Sequence, residues 1–446
     1  MEYTLTSSNL FYLDSLGLVM IGLVTFVSLC IGSFAIRYMN GDRRRKAFFS
    51  NLPALVLTVV IMVSTDHILL LLASWGLSNF LLTRLMLHKK DWEAARQSSL
   101  LATRNFAIGF LLLGAALMIM YSNTGETSIR GIIATSFESG WMILSSLLLL
   151  LAAMTQSALW PFHRWLTSSL NSPTPVSAIM HAGLVNGGGF LLARFAPVLI
   201  RQPEVLSIMF TAGIVTALVG TLWKLMQSDI KRMLASSTMG QMGFMIAQCG
   251  LGLFPAAVAH LCWHGLFKAY LFLSSGSAAK EKRLDLDYPP SFRHFSMALV
   301  CGVLAAYMFS LTSGKQITTT DTTLFLVFLA MIAGAQFALP IIRGNAKTRL
   351  PLAIVAGIVM GACYGFSVHM IEQALEPLAI SMPQQLNAIH LIAAALLTIS
   401  WLAMLFARPA RQKQYPQWLL RGYVQMLNAS QPHPKTITAH RNKYQY

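Results

Sequence analysis

The chain has 446 residues, of which 55% are hydrophobic and 11% charged, with a formal net charge of +17. An ordinary soluble domain carries about 25% charged residues, so this composition excludes a soluble enzyme or binding module and indicates a membrane protein. In that setting a basic excess reflects cytoplasmic loops rich in Lys and Arg, and it implies no nucleic-acid partner.

Met1–Asn9 is polar, carries Glu2 and lacks a basic stretch, so it does not read as a cleaved signal peptide. Apolar runs of about 20 residues, the length that crosses a hydrocarbon core, follow along the chain. They cover about 11–36, 47–65, 67–87, 97–121, 140–160, 173–199 and 205–227, then 230–250, 254–275, 295–312, 322–342, 350–371 and 387–407. In lipid only helices and closed barrels satisfy every backbone group, and these runs lack the alternation of barrel strands. The expected fold is all-α and polytopic, with about thirteen transmembrane helices over residues 1–407. Residues 408–446 read as a polar tail punctuated by proline, with Leu419–Leu427 as a short interfacial helix.

The loops alternate in charge. One side receives Arg37, Arg43, Arg44, Arg45 and Lys46, then Arg84, Lys89, Lys90, Arg96, Arg164, Lys231 and Arg232, then Lys280, Lys282, Arg283, Arg293, Arg343, Lys347, Arg349 and the seven tail cations, together 26 of the 33 basic residues, and the other receives only Arg130, Arg201 and Lys315. The positive-inside rule then sets the N-terminus in the periplasm and the C-terminus in the cytoplasm. The five cysteines are dispersed in apolar segments without a CxxC pair. They read as small buried hydrophobes, and the sequence offers no metal, iron–sulfur or haem motif.

Several spans carry polar punctuation. The fifth ends at Gln156 and Ser157, just before Trp160-Pro161-Phe162-His163. The sixth opens with Ser172-Pro173-Thr174-Pro175, contains His181 and then meets Asn186 and Gly187–Gly189. Pro sets a first helical turn, a glycine run permits unwinding, and interrupted helices at membrane depth line ion paths. Lys224 near the end of the seventh span is either a snorkelling cation or part of such a path. The eighth carries a polar stripe, Ser236, Ser237, Thr238 and Gln241. In the ninth, His260, His264 and Lys268 recur every four residues, which stacks them on one helix face. A charge at bilayer depth costs about 2.5–3.5 kcal/mol on insertion scales, so a helix that carries this column is expected to use it, and proton movement is the cheapest use. Carboxylates are scarce: Asp14 and Asp66 fall near span ends, and the scarcity points to help from a partner.

Thr155–Leu166, Ser172–Gly183, Gln227–Phe244 and His260–Gly276 resemble the antiporter-like proton-channel subunits of respiratory complex I and of Mrp antiporters. The likeness is strongest over residues 12–277, and its start resembles the third helix of those subunits, so two N-terminal helices would be missing. It implies that family's fold, with interrupted helices. It also implies a proton path through His181, Lys224, Lys231, His260, His264 and Lys268, supported by Asp66, Gln156, Ser237, Gln241 and Asp229. Two positions depart from the family. Gly76 stands where a channel glutamate follows the tryptophan, and Gln156 stands where the broken helix carries lysine.

With these departures, the length and the tail Leu427–Tyr446, the chain is similar to the membrane subunits of bacterial DAB-type inorganic carbon pumps, the DabB type. That resemblance implies an inner-membrane subunit that conducts protons or Na+ and is not itself an enzyme. It would need no cofactor of its own. Its partner would be a cytoplasmic DabA-type zinc protein, similar to a β-type carbonic anhydrase, that hydrates CO2 to bicarbonate. Arg421, His433, His440 and Arg441 are the expected docking residues. Two other readings stay open: a component of a complex I or Mrp assembly, and a scaffold whose channel no longer conducts.

Overall fold

The computed structural model describes residues 10–136, 138–280, 289–343, 346–406 and 416–437. Twelve helices among them are long and apolar enough to cross a membrane. The difference from the expected thirteen is α9, Ile230–Gly250, whose 21 residues are long enough. Its serines, Thr238 and its glutamines dilute its apolarity, and most of it is buried in protein, so it does not need a lipid-compatible surface.

The chain divides into two compact units. The first comprises the described parts of Met1–Gly250, His260–Ala279 and Val424–Tyr446. Its helices are α1 Ser15–Tyr38, α2 Arg45–Ser64, α3 Ile68–Met86, α4 Glu93–Thr124, α5 Ser139–Gln156, the pair α6 Thr174–Ala182 and α7 Gly187–Arg194, α8 Pro203–Met226 and α9. Most of α10, Phe254–Leu273, also belongs to it. Helices α8 and α9 pack through glycines: a Cβ on Gly243 would lie 2.6 Å from Ala217 N, and one on Gly220 would lie 2.5 Å from Gly240 N. Small residues let helix backbones approach without a side chain between them, and Ser236 and Thr238 of the polar stripe on α9 are buried in the interior.

Two interruptions shape this unit. Helix α5 stops at Gln156, and Ala158 beyond it takes a left-handed conformation (φ 53°). Helices α6 and α7 are separated by Gly183 and a 3-10 turn, Leu184–Asn186. Broken helices free carbonyls that must be answered inside the protein. Gln156 Nε2 donates to Leu184 O at 3.2 Å, and Ser157 Oγ donates to Val185 O at 2.7 Å. Thr155 O accepts from Asn105 Nδ2 and from Trp165 Nε1, each at 3.0 Å. At this break the freed carbonyls are thus answered by side chains. Arg194 and Asp14 form a buried ion pair, and Asp14 also caps α1 by accepting from Gly17 N at 2.8 Å.

The second unit comprises Leu251–Ala259 and the described parts of Lys280–Tyr423. Its long helices are α11 Phe292–Ser313, α12 Thr323–Ile342, α13 Ala346–Leu375 and α14 Ala388–Phe406. Ala298, Cys301, Ala335, Ala338, Leu339, Trp401 and Leu405 form its core. Lys315 and Glu372 pair at 2.6 Å beside one end of it. Helix α15, Gln417–Ala429, follows, and it leaves Trp418, Leu420 and Tyr423 exposed.

Candidate ion-conduction site

Four of the six expected path residues converge in the first unit. His181, His260, His264 and Lys268 are 1%, 9%, 4% and 1% exposed. The four-residue spacing on α10 produces the column: the His260 and His264 rings stack with centroids 6.1 Å apart, and Lys268 follows one turn later. Helix α9 supplies the polar partners. Lys268 Nζ donates to Ser237 Oγ at 2.8 Å and lies 3.5 Å from Leu234 O. Helix α6 supplies His181, whose Nδ1 lies 3.0 Å from Thr238 Oγ1. Phe272 of α10 stacks on the His181 ring at 4.3 Å.

The groups sense one another. Lys268 interacts electrostatically with His181 and His264, and the His264 imidazole lies against the His181 backbone. His260 lies against the Gln241 backbone and edge-on to Phe244. The Nε2 atoms of His260 and His264 are buried without a protein partner. An unpaired polar atom in such a place costs about 1–3 kcal/mol, and a lysine away from water normally finds a carboxylate. Among the described residues no carboxylate pairs with Lys268.

The other expected residues fall elsewhere. Lys224 is exposed on α8, although its charge still reaches Lys268. Lys231 is half-buried at the start of α9, 3.4 Å from Ser172 O, and interacts electrostatically with His181. Asp229 caps α9 by accepting from Arg232 N at 2.9 Å. Asp66 anchors a loop instead: it accepts from Ser128 Oγ at 2.7 Å and from Arg130 Nε at 3.1 Å. The Gln241 side chain is exposed.

Gln156 forms a different site. It exchanges hydrogen bonds with Asn79, Nδ2 to Oε1 and Nε2 to Oδ1, both at 3.0 Å. A cavity of about 20 Å³ opens beside it, lined by Trp75, Ser78 and Gly183 among others, room for about one water. At Gly76 a Cβ would meet the Phe110 ring at 3.0 Å, so an aromatic ring crowds the place where a longer side chain would begin. Sequence reasoning missed Asn79, though its place one turn after Trp75 on α3 was a signal.

The tail docks on its own chain. Asn171 Nδ2 donates to Thr436 O at 2.9 Å, Gln227 Nε2 to Ser430 Oγ at 2.9 Å, and Arg232 Nη1 to Gln431 Oε1 at 3.0 Å. His433 uses its backbone N–H on Ser168 Oγ at 2.9 Å, and its ring accepts from Lys435 N. Arg421 is exposed on α15, and His440 and Arg441 lie outside the described residues. Among the described residues no three His, Cys, Asp or Glu side chains converge to hold a metal ion.

Outside the spans, His163 lies in the turn after α5 with its ring 4.7 Å from Trp223. Burial, reinforced by the neighbouring Arg164 charge, pushes its imidazole down to about 4.

Residues 64–342 match the family described as NADH:quinone oxidoreductase/Mrp antiporter, TM, and residues 3–49 match NADH-ubiquinone oxidoreductase (complex I), chain 5 N-terminus. The chain is 33% identical over 397 residues to the probable inorganic carbon transporter subunit DabB1 of Halothiobacillus neapolitanus, covering 82% of this chain and 71% of that protein. It is 38% identical over 271 residues to the Bacillus subtilis protein named probable inorganic carbon transporter subunit DabB, covering 60% of this chain and 54% of the other. NADH-quinone oxidoreductase subunit L of Escherichia coli is 36% identical over 274 residues, which cover 59% of this chain and 44% of that subunit. The chain therefore spans about half the length of several relatives that it matches. A solved structure of the Mrp complex from Dietzia sp. aligns with a TM-score of 0.57 at 21% identity, over 94% of this chain and 48% of that one, and it supports the fold.

Proposed function

Because the chain belongs to the NADH:quinone oxidoreductase/Mrp antiporter transmembrane family, as a DabB-type antiporter-like subunit, we propose that it conducts protons to energise inorganic carbon accumulation by a cytoplasmic partner. The carrying observation is the buried cluster of His181, His264 and Lys268, whose side chains meet the α9 hydroxyls and backbone rather than carboxylates. Such groups inside a membrane protein mark ion pathways. Imidazoles exchange protons near neutrality, and hydroxyls both accept and donate them.

A proton would enter by Lys231, pass His181 and Lys268, and continue along His264 and His260. The Nε2 atoms of the last two rings have no protein partner, so neither bonds the other directly, and that step runs through a bridging water. Protonation of one group raises the cost of charging its neighbours, and this coupling is what a partner's conformational change would draw on. The partner expected from the sequence is a DabA-type zinc protein, which would carry the CO2 hydration chemistry. The basic loops support a cytoplasmic C-terminus and a periplasmic N-terminus in a bacterial inner membrane.

The test is dissolved-inorganic-carbon uptake in cells that express both subunits, with and without an uncoupler. Uptake should collapse on uncoupling and in Lys268→Ala; uptake indifferent to both rejects the coupling. Uptake driven by a sodium gradient and insensitive to a proton uncoupler would reassign the ion to Na+. A scaffold reading draws support from the neutral Asn79–Gln156 pair. Purified protein in liposomes that passes no protons under an imposed pH gradient would favour it.

A further inference from the structure

The Thr238 hydroxyl has one proton, and its surroundings determine where that proton points. Thr238 Oγ1 lies 3.0 Å from the Leu234 carbonyl, one turn back on α9, and 3.0 Å from His181 Nδ1. A hydroxyl back-bonded to the carbonyl four residues earlier is a common helix geometry. If the proton instead faced His181, two oxygens bearing only lone pairs would be opposed at 3.0 Å in a fully buried site. The proton therefore goes to Leu234 O, and toward His181 the hydroxyl oxygen can only accept. Nδ1 must then carry hydrogen. Phe272, stacked on the imidazole at 4.3 Å and 20°, holds the ring plane in which this bond is made.

We infer that Thr238 is a positioning residue that holds neutral His181 as its Nδ1–H tautomer, so that Nε2 is the nitrogen that takes up the relayed proton. The inference rests on the proton-conduction reading for its function but not for its geometry. The ionisable groups around the ring are Lys231 from the same helix as Thr238, and His264 and Lys268 from α10. None of them substitutes for the acceptor at Nδ1: the lysine ammonium donates only, Lys268 already points to Ser237 and Leu234, and the His264 imidazole lies against the His181 backbone with its Nε2 unpartnered. A wrongly protonated histidine keeps its packing while presenting a hydrogen where a lone pair is needed.

The experiment uses full-length protein labelled with ring-15N histidine in lipid vesicles, with the His181 signals identified by their loss in His181→Gln. Wild type should show His181 protonated at Nδ1, Thr238→Val should lose that preference, and Thr238→Ser should restore it. Proton flux under an imposed pH gradient should fall about tenfold or more in Thr238→Val and recover in Thr238→Ser. A wild-type His181 protonated at Nε2, or a tautomer unchanged by Thr238→Val, overturns the inference whatever the flux. A Thr238-dependent Nδ1–H tautomer in a protein that passes no protons instead overturns the conduction reading and leaves the tautomer assignment standing. If Thr238→Val does not fold, the wild-type and Thr238→Ser spectra decide the tautomer.

Discussion

Around Gln156 the side-chain amides are neutral and answered by protein: each amide of the Asn79–Gln156 pair meets the other, and the freed carbonyl of Leu184 takes a further amide hydrogen. Around Lys268 the same compact unit does the reverse. There a lysine and three histidines share two hydroxyls and the backbone, and two imidazole nitrogens have no protein partner. Both regions lie beside interrupted helices, so the interruption alone does not make a path. The difference lies in whether the buried groups can change charge. An amide pair can only be kept or broken, whereas imidazoles and an amine exchange protons.

Lys268→Gln is the sharpest way to break this contrast. It should lower proton flux in vesicles about a hundredfold or more while the melting temperature in detergent stays near wild type. Equal flux would show that the charged region is as inert as the neutral one.

His163 offers a control, a buried histidine outside the cluster. Its folded pKa of about 4 lies below the unfolded value of 6.5, so the folded state binds fewer protons. The associated stability is full above pH 6.5 and is lost as pH falls toward 4, a loss on the order of 3 kcal/mol. Melting temperature against pH should show this fall, and His163→Phe should flatten it without altering flux.

In the neutral region, Gln156→Leu leaves the buried Asn79 amide without its partner and should cost about 1–3 kcal/mol. The double variant Asn79→Leu/Gln156→Leu should recover part of that loss, again with flux unchanged. A flux defect in the double variant would bring this region into the path. The smallest effect belongs to the tail: Asn171→Ala removes one hydrogen bond to Thr436 O, worth about 0.5–1.5 kcal/mol. The readout is faster limited proteolysis near residues 430–437, with little change in melting temperature.

Much of the fold was legible because the bilayer imposes a simple rule, that a spanning segment must be long, apolar and internally hydrogen-bonded. The one shortfall, Ile230–Gly250, is instructive. Its length reads as a span, but its polar stripe is tolerated because protein, not lipid, surrounds it. The α10 column was legible from periodicity, since residues four apart share a helix face wherever the helix goes. Asp66 and Asp229 entered as supporting groups through the family resemblance, and packing shows what they hold locally: one anchors a loop and the other caps a helix. Lys224 and Lys231 are both cations at helix ends, and only packing separates the exposed one from the half-buried one.

From the residues alone came the membrane environment, the helical class, the interruptions and the vertical spacing of His260, His264 and Lys268, all properties of single segments in a known solvent. Tertiary packing decided that Asn79 answers Gln156, that Thr238 and Ser237 face His181 and Lys268, and that the tail folds onto Ser168 and Asn171. These pairings join residues far apart in the chain. A hydrogen bond needs partners within about 3 Å, a condition that local sequence does not encode and that only the close approach of whole helices creates.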